Sequence, residues 1–333
     1  MFGRNLFFAC ALALQSFLAL SACDGVSTVH PADEKLRLNH IQLKATHNSY
    51  RPGRLDHTVV DWRYDHAPIL VQLEEQGVRG LEFDLIHDPF LERYRVEHIP
   101  EADDETHCPF LTDCLEAVRD FSERHPGHHP IFIQIEPRGA FDDDTEARIA
   151  RFESEVLSVF DRAQLITPDD VRGEALSLRE AVLERGWPTL GETRGKIFIY
   201  LDSSREISLA YAGPDGRLEG RVAFPDSRMD DPFAGFMVIN AVGDGRAREA
   251  VEAGFLVRVR AEHLRELFNE GVDRAEAALE TGAQVISTDF PVKREELDYF
   301  FDIPGGTPSR CSPVTAPEDC KSEWIEDPSR LGG

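Results

Sequence analysis

The sequence predicts an α/β fold: a distorted (β/α)8 TIM-type barrel followed by an irregular, disulfide-stapled C-terminal tail. Three observations lead there. Short apolar runs alternate with helix-spaced patterns through most of the chain, the signature of a parallel sheet covered by helices. The runs are enough for a ring, seven clear and one weak. The 333 residues are 41% hydrophobic and 29% charged, so one large core is affordable and no fibrous or low-complexity class fits. A doubly wound parallel sheet is the second choice.

The elements follow in order. Arg4 precedes an apolar run from Leu6 to Leu20, which ends in Leu20-Ser21-Ala22-Cys23. A short basic start, an apolar stretch and small residues before a cut site read as an export signal. The last four residues are similar to a bacterial lipobox, which implies cleavage before Cys23 and a lipid on its thiol. A plain signal peptide is the alternative. Residues 1–22 are therefore taken as a lipoprotein signal peptide, 23–38 as a linker, 39–301 as the barrel and 302–333 as the tail. Strands are expected at 41–46, 78–85, 131–136, 196–201, 236–240, 255–260 and 284–288, with 221–224 a poor eighth. Helices are expected at 69–76, 111–124, 144–161, 177–185, 246–253 and 265–280. Residues Ile149, Phe152, Val156 and Val159 have the spacing of one helix face.

Charge and cysteine content narrow the function. With 36 basic and 61 acidic residues the formal charge is −25. That argues against a nucleic-acid partner and against general electrostatic docking on anionic membranes. An anionic ligand needs a local site or a cation. Besides Cys10 and Cys23, four cysteines form two close pairs, Cys108/Cys114 and Cys311/Cys320. Local disulfides suit an exported chain; a metal site is the rival, without a convincing second pair of ligands.

Several residues invite chemistry. In Leu81-Glu82-Phe83-Asp84-Leu85, side chains two apart share a face, so Glu82 and Asp84 point together. Two adjacent buried carboxylates must share a proton, meet Arg or Lys, or bind a cation. A structural salt bridge explains the pair equally well. Glu136 precedes Pro137, which cannot donate to a sheet ladder, so it marks a strand end, where α/β barrels carry their sites. Three such oxygen donors suit Ca²⁺ or Mg²⁺. His47 and Asn48 follow the first strand, offering an acid–base group and a neutral oxygen; an ordinary loop histidine and turn asparagine would look the same. His98 follows the acidic strand, with His87 its competitor. Arg258 and Arg260 share one strand face and need anions, either internal acids or a substrate phosphate. There is no nucleophile elbow, phosphate-binding Gly-rich loop, zinc-protease motif or dinucleotide fingerprint.

Taken in order, His47-Asn48, Glu82-x-Asp84, His98 and Glu136 resemble the Ca²⁺-dependent phosphoinositide-specific phospholipases C, bacterial exported branch, of the phospholipase-C-like phosphodiesterase superfamily. Thr46-His47-Asn48-Ser49-Tyr50, Arg79-Gly80-Leu81-Glu82-Phe83-Asp84, the Cys108–Cys114 spacing, residues 130–136, Val257-Arg258-Val259-Arg260-Ala261 and Ser287-Thr288-Asp289-Phe290-Pro291 carry the likeness, from about His40 to Pro291. The resemblance implies that Asn48, Glu82, Asp84 and Glu136 hold Ca²⁺, with Mg²⁺ an alternative. It implies catalytic roles for His47 and His98, one stabilising the pentacovalent phosphorus and the other protonating the leaving oxygen. Arg138, where that branch is expected to carry Lys, joins Arg258 and Arg260 as a candidate substrate contact. The implied reaction converts phosphatidylinositol-type phosphodiesters to diacylglycerol and cyclic inositol phosphate by attack of the inositol 2-hydroxyl. The expected partners are a phospholipid or glycerophosphodiester substrate and a membrane surface held through Cys23, for a monomer lipid-anchored to the bacterial envelope or secreted. A glycerophosphodiester phosphodiesterase shares most of these features, although it usually opens with His-Arg-Gly where this chain has His47-Asn48-Ser49. A non-catalytic lipoprotein binding inositol or sugar phosphates through Ca²⁺ is a further alternative.

Overall fold

A computed structural model describes residues 30–305 and 308–326. Eight parallel strands form the barrel: β1 (Ile41–Thr46), β2 (Gly80–Asp88), β3 (Ile131–Glu136), β4 (Ile197–Leu201), β5 (Phe224–Pro225), β6 (Phe236–Val238), β7 (Leu256–Arg260) and β8 (Val285–Thr288). Each is hydrogen-bonded to the next, and β8 returns to β1. Between β5 and β6 the link is one parallel bridge, Asp226 to Phe236. This is the weak eighth strand of the sequence, shifted to Phe224–Pro225. Pro225 has no N–H to donate, which keeps it short. The two-residue strand Leu165–Ile166 takes the start of the same β4 edge that β5 takes at its end.

Alternation sorts the strands into an inward and an outward set. Inward residues form layers, as a closed barrel requires. The lower layers are aromatic: Phe198 stacks on Phe224 with ring centres 4.2 Å apart, Phe132 lies on Phe198 at 4.8 Å, and Tyr200 stacks on Phe236 at 3.9 Å. Two residues beyond Tyr200 and Phe224 stand Asp202 and Asp226, and four beyond Phe132 stands Glu136. The barrel is thus apolar at its floor and acidic at its mouth. Gly80 is needed where β2 meets β1: a Cβ there would lie 2.5 Å from the Ala45 Cβ.

Helices Ile69–Glu74, Leu111–Arg124, Thr145–Val159, Arg205–Ala212 and Arg246–Glu252 cover the outside. The helix expected at 265–280 is two, Leu264–Glu270 and Ala275–Glu280, interrupted at Gly271, whose φ of +66° no helix accepts. Cys108 pairs with Cys114 and Cys311 with Cys320. The tail is less irregular than expected. Ser309–Cys311 is a strand antiparallel to the first half of β1, where β2 has not yet begun. Beyond it, Glu326 is buried beneath the barrel, taking hydrogen bonds from Arg79 Nε (2.8 Å) and the His129 amide (3.0 Å). The signal segment 1–22 and Cys23 lie outside the described residues.

Candidate active site

The strand ends deliver three acids to one place. Glu82 and Asp84 project inward from β2, and Glu136 ends the neighbouring β3, opposite Asp84 in register. Each offers an oxygen within 4.8 Å of the others'. Asn48 stands in the first residues after β1, where its φ of +47° turns the chain left-handed, a conformation Asn tolerates better than most. Its Nδ2 donates to the Tyr64 hydroxyl (2.8 Å), which leaves Oδ1 facing away. Asn48 Oδ1 and both Asp84 oxygens are buried without a hydrogen-bond donor. Unpartnered buried oxygens are costly, and three clustered carboxylates meet the demands of a hard divalent cation. Burial, then repulsion from Glu136 and Glu82, pushes the Asp84 carboxyl well above its usual range. Burial pushes Glu82 up to about 8 against the pull of Arg258. Only positive charge keeps such a group of carboxylates ionised together.

Two histidines face a cleft of about 380 Å³ beside the acids, walled by Trp62, Tyr64 and Arg260. His47 Nδ1 lies 2.8 Å from Asp289 Oδ1, and its Nε2 is 3.7 Å from Glu82 Oε1. His98 Nδ1 lies 2.7 Å from Asp103 Oδ2. In each case the carboxylate accepts from Nδ1–H and orients the ring; Arg260 Nη1 lies 3.4 Å from His47 Nε2. Burial and the adjacent Arg260 push His47 down to about 3, so it is neutral at physiological pH. Burial works to raise Asp289, but Arg260 (2.6 Å) and His47 hold it at about 2. Asp103 is likewise held at about 2 despite burial, by His98 and a two-pronged contact from Arg51.

The arginines are engaged with acids. Arg258 is buried and crosses the barrel from β7 to Glu82 (2.8 Å), with further contacts to Asn240 and Ser287. Of the two partners open to it, it has the internal acid; so does Arg260, through Asp289. Arg138, just past β3, lies 3.1 Å from Glu136 and 3.7 Å from Asp84. His87 contacts Arg148 and Glu92 and takes no part in the cleft.

Five site residues escaped the sequence reading. Asp289 carried the same signal as Glu136, an acid at a strand end with proline close behind. Asp202 and Asp226 also stand at strand ends, the second after a strand too short to recognise. Asp103 and Tyr64 sit in loops with no local pattern, and only the folded chain brings them to His98 and Asn48.

A family model described as phosphoinositide phospholipase C, Ca²⁺-dependent, matches residues 92–313. Among solved structures the fold is similar to a calcium-dependent phosphoinositol-specific phospholipase C from a Gram-negative bacterium, Pseudomonas sp. In its myoinositol complex the identity is 21% and the TM-score 0.61, over 85% of this chain and 98% of that one. It is also similar to a Ca²⁺-dependent phosphatidylinositol-specific phospholipase C from Streptomyces antibioticus, at 19% identity and TM-score 0.60, over 77% and 95% of the two chains. No curated protein matches the sequence.

Proposed function

The chain belongs to the Ca²⁺-dependent phosphoinositide phospholipase C family of phosphodiesterases, and from that we propose that it cleaves phosphatidylinositol-type phosphodiesters to diacylglycerol and a cyclic inositol phosphate. One observation supports this above the rest. Two histidines, each oriented by its own carboxylate, face a single cleft at the edge of an oxygen-donor cluster. A base and an acid are what an internal displacement at phosphorus requires.

Asn48, Glu82, Asp84 and Glu136 would hold the Ca²⁺. When bound, it neutralises charge on the phosphodiester and acidifies the inositol 2-hydroxyl. His47, kept neutral beside Arg260, accepts the proton of that hydroxyl at Nε2, and Asp289 stabilises the imidazolium that results. The freed oxygen forms a bond to the adjacent phosphorus, an intramolecular attack that needs no further ordering of reactants. The bond from phosphorus to the glycerol oxygen breaks. His98, entering as an imidazolium steadied by Asp103 at Nδ1, delivers its Nε2 proton to that oxygen and is left neutral. His47 thus serves as the base, rather than only as a stabiliser of the pentacovalent state. Acid–base groups of this kind contribute about 10²–10⁴-fold each.

We also propose export, with Cys23 lipidated to hold the barrel at a membrane, and action as a monomer. Support for export and the anchor comes from the pattern of residues 1–23.

The test uses residues 24–333 with phosphatidylinositol, glycerophosphoinositol and glycerophosphocholine, in Ca²⁺, in Mg²⁺ and in chelator. Ca²⁺-dependent release of cyclic inositol phosphate from phosphatidylinositol is expected. Turnover of the glycerophosphodiesters alone would move the chain to that phosphodiesterase class. No turnover of any substrate would overturn the enzymatic reading.

A further inference from the structure

Among the described residues, Arg138 is the one cationic side chain at the three-acid cluster that is carried by a loop and not by a barrel strand. It follows Glu136 by two residues, after Pro137, in a left-handed turn with φ of +35°. That conformation is uncommon for a residue with a Cβ and points to a functional constraint when it occurs beside a site. Its guanidinium reaches back over the strand end, with Nη1 3.1 Å from Glu136 Oε1 and 3.7 Å from Asp84 Oδ2. The side chain is about a third exposed, against 1% for Asp84. Arg258, the other arginine near these acids, is buried and pinned by Glu82, Asn240 and Ser287. Arg138 has only the two cluster acids and open solvent as partners among the described contacts.

Two facts then conflict. The oxygens that Arg138 approaches are the oxygens a divalent cation would take. A guanidinium and a divalent cation in contact with the same carboxylates repel, most strongly at Asp84, which is shielded from water. The arginine side chain is long, carries its charge at every accessible pH, and has free space on its outer side.

We propose that Arg138 is a tethered counter-ion that competes with Ca²⁺ for Glu136 and Asp84, and that Ca²⁺ binding turns its guanidinium outward to the mouth, where it meets the substrate phosphate. It occupies Glu136 and Asp84 before the metal arrives, and it becomes available to an anion only afterwards. Metal and substrate are thereby ordered. The proposal rests on the metal-binding reading of Asn48, Glu82, Asp84 and Glu136.

Ca²⁺ affinity, measured by calorimetry and by the Ca²⁺-induced rise in melting temperature, tests this without any assay of turnover. Arg138→Gln should bind Ca²⁺ about tenfold more tightly than the unaltered chain and show a larger rise in melting temperature. Arg138→Lys, which keeps the charge, should stay within about twofold. Arg138→Ser provides the same charge removal should the Gln variant fold poorly. Unchanged or weaker Ca²⁺ binding on removal of the charge would overturn the proposal. Absence of Ca²⁺ binding in the unaltered chain would instead remove the metal reading on which it rests.

Discussion

His47 and His98 share one feature, a carboxylate on Nδ1, but differ in position. His47 lies against Glu82 and Arg260, at the acid cluster, whereas His98 sits on a loop against the edge of Trp62. The base must be near the metal-activated hydroxyl and the acid near the exit of the leaving group. His98→Ala is therefore expected to lose about 10²–10⁴-fold on phosphatidylinositol. With an inositol phosphodiester of a nitrophenol-type leaving group, which departs without a proton, the loss should shrink to within about tenfold. His47→Ala should lose activity on both. Equal losses for His98→Ala on the two substrates would contradict its role as the acid.

At the scale of elements, β2 carries the site through its alternation. Its inward side presents Gly80, Glu82 and Asp84, and the chain is placed by the close approach of Gly80 to Ala45. Gly80→Val forces β1 and β2 apart and should cost about 1–3 kcal/mol, the usual penalty of overpacking, while weakening Ca²⁺ binding because Asn48 and Asp84 are carried by the two separated strands. Below them, the stack of Phe132, Phe198 and Phe224 fills the floor. Phe198→Ala should cost about 3–5 kcal/mol in chemical denaturation. Because that cavity opens at the far end of the barrel from the acids, Ca²⁺ affinity should change little in whatever fraction remains folded.

Across the whole molecule, the tail closes the end of the barrel opposite the site. Arg79, at the start of β2, and the amide before β3 both bind Glu326, which is 1% exposed. Burial raises the Glu326 carboxyl, but Arg79 and His129 overcome it and hold it at about 2. Removing one partner of a buried pair strands the other, so Glu326→Ala should destabilise by about 3–5 kcal/mol. The acid limb of stability follows from buried histidines. Burial lowers His129 to about 3 and His66 and His128 to about 4. The unfolded chain takes up these protons near pH 6.5, while the folded chain resists until pH 3–4, so stability falls as pH drops through that window. Glu326 acts in the same sense lower down, stabilising fully above about pH 4.5 and losing its contribution towards pH 2. Melting temperatures should decline steadily from pH 7 to pH 4; a flat profile would contradict the burial of these groups.

The strands β1 and β3 could be placed from sequence to the residue, and most others to within two, because a strand's apolar run and the alternation beneath it are local properties. The same alternation put Glu82 and Asp84 on one side and Glu136 at a strand end, which is why the acid cluster was legible before any fold. β5 was scarcely visible, since two residues cannot display a period. The division of 265–280 into two helices at Gly271 was missed because the apolar pattern continues across the break. What the sequence determined by itself is the set of chemical groups and the side of each strand on which they stand. What the tertiary structure decided is which of them meet: Arg258 with Glu82 across the barrel, His47 with Asp289 around the closure of the ring, His98 with Asp103 within a loop. Those contacts depend on where eight strands come to rest when the sheet curls shut, a property of the closed ring as a whole that no segment of the chain encodes alone.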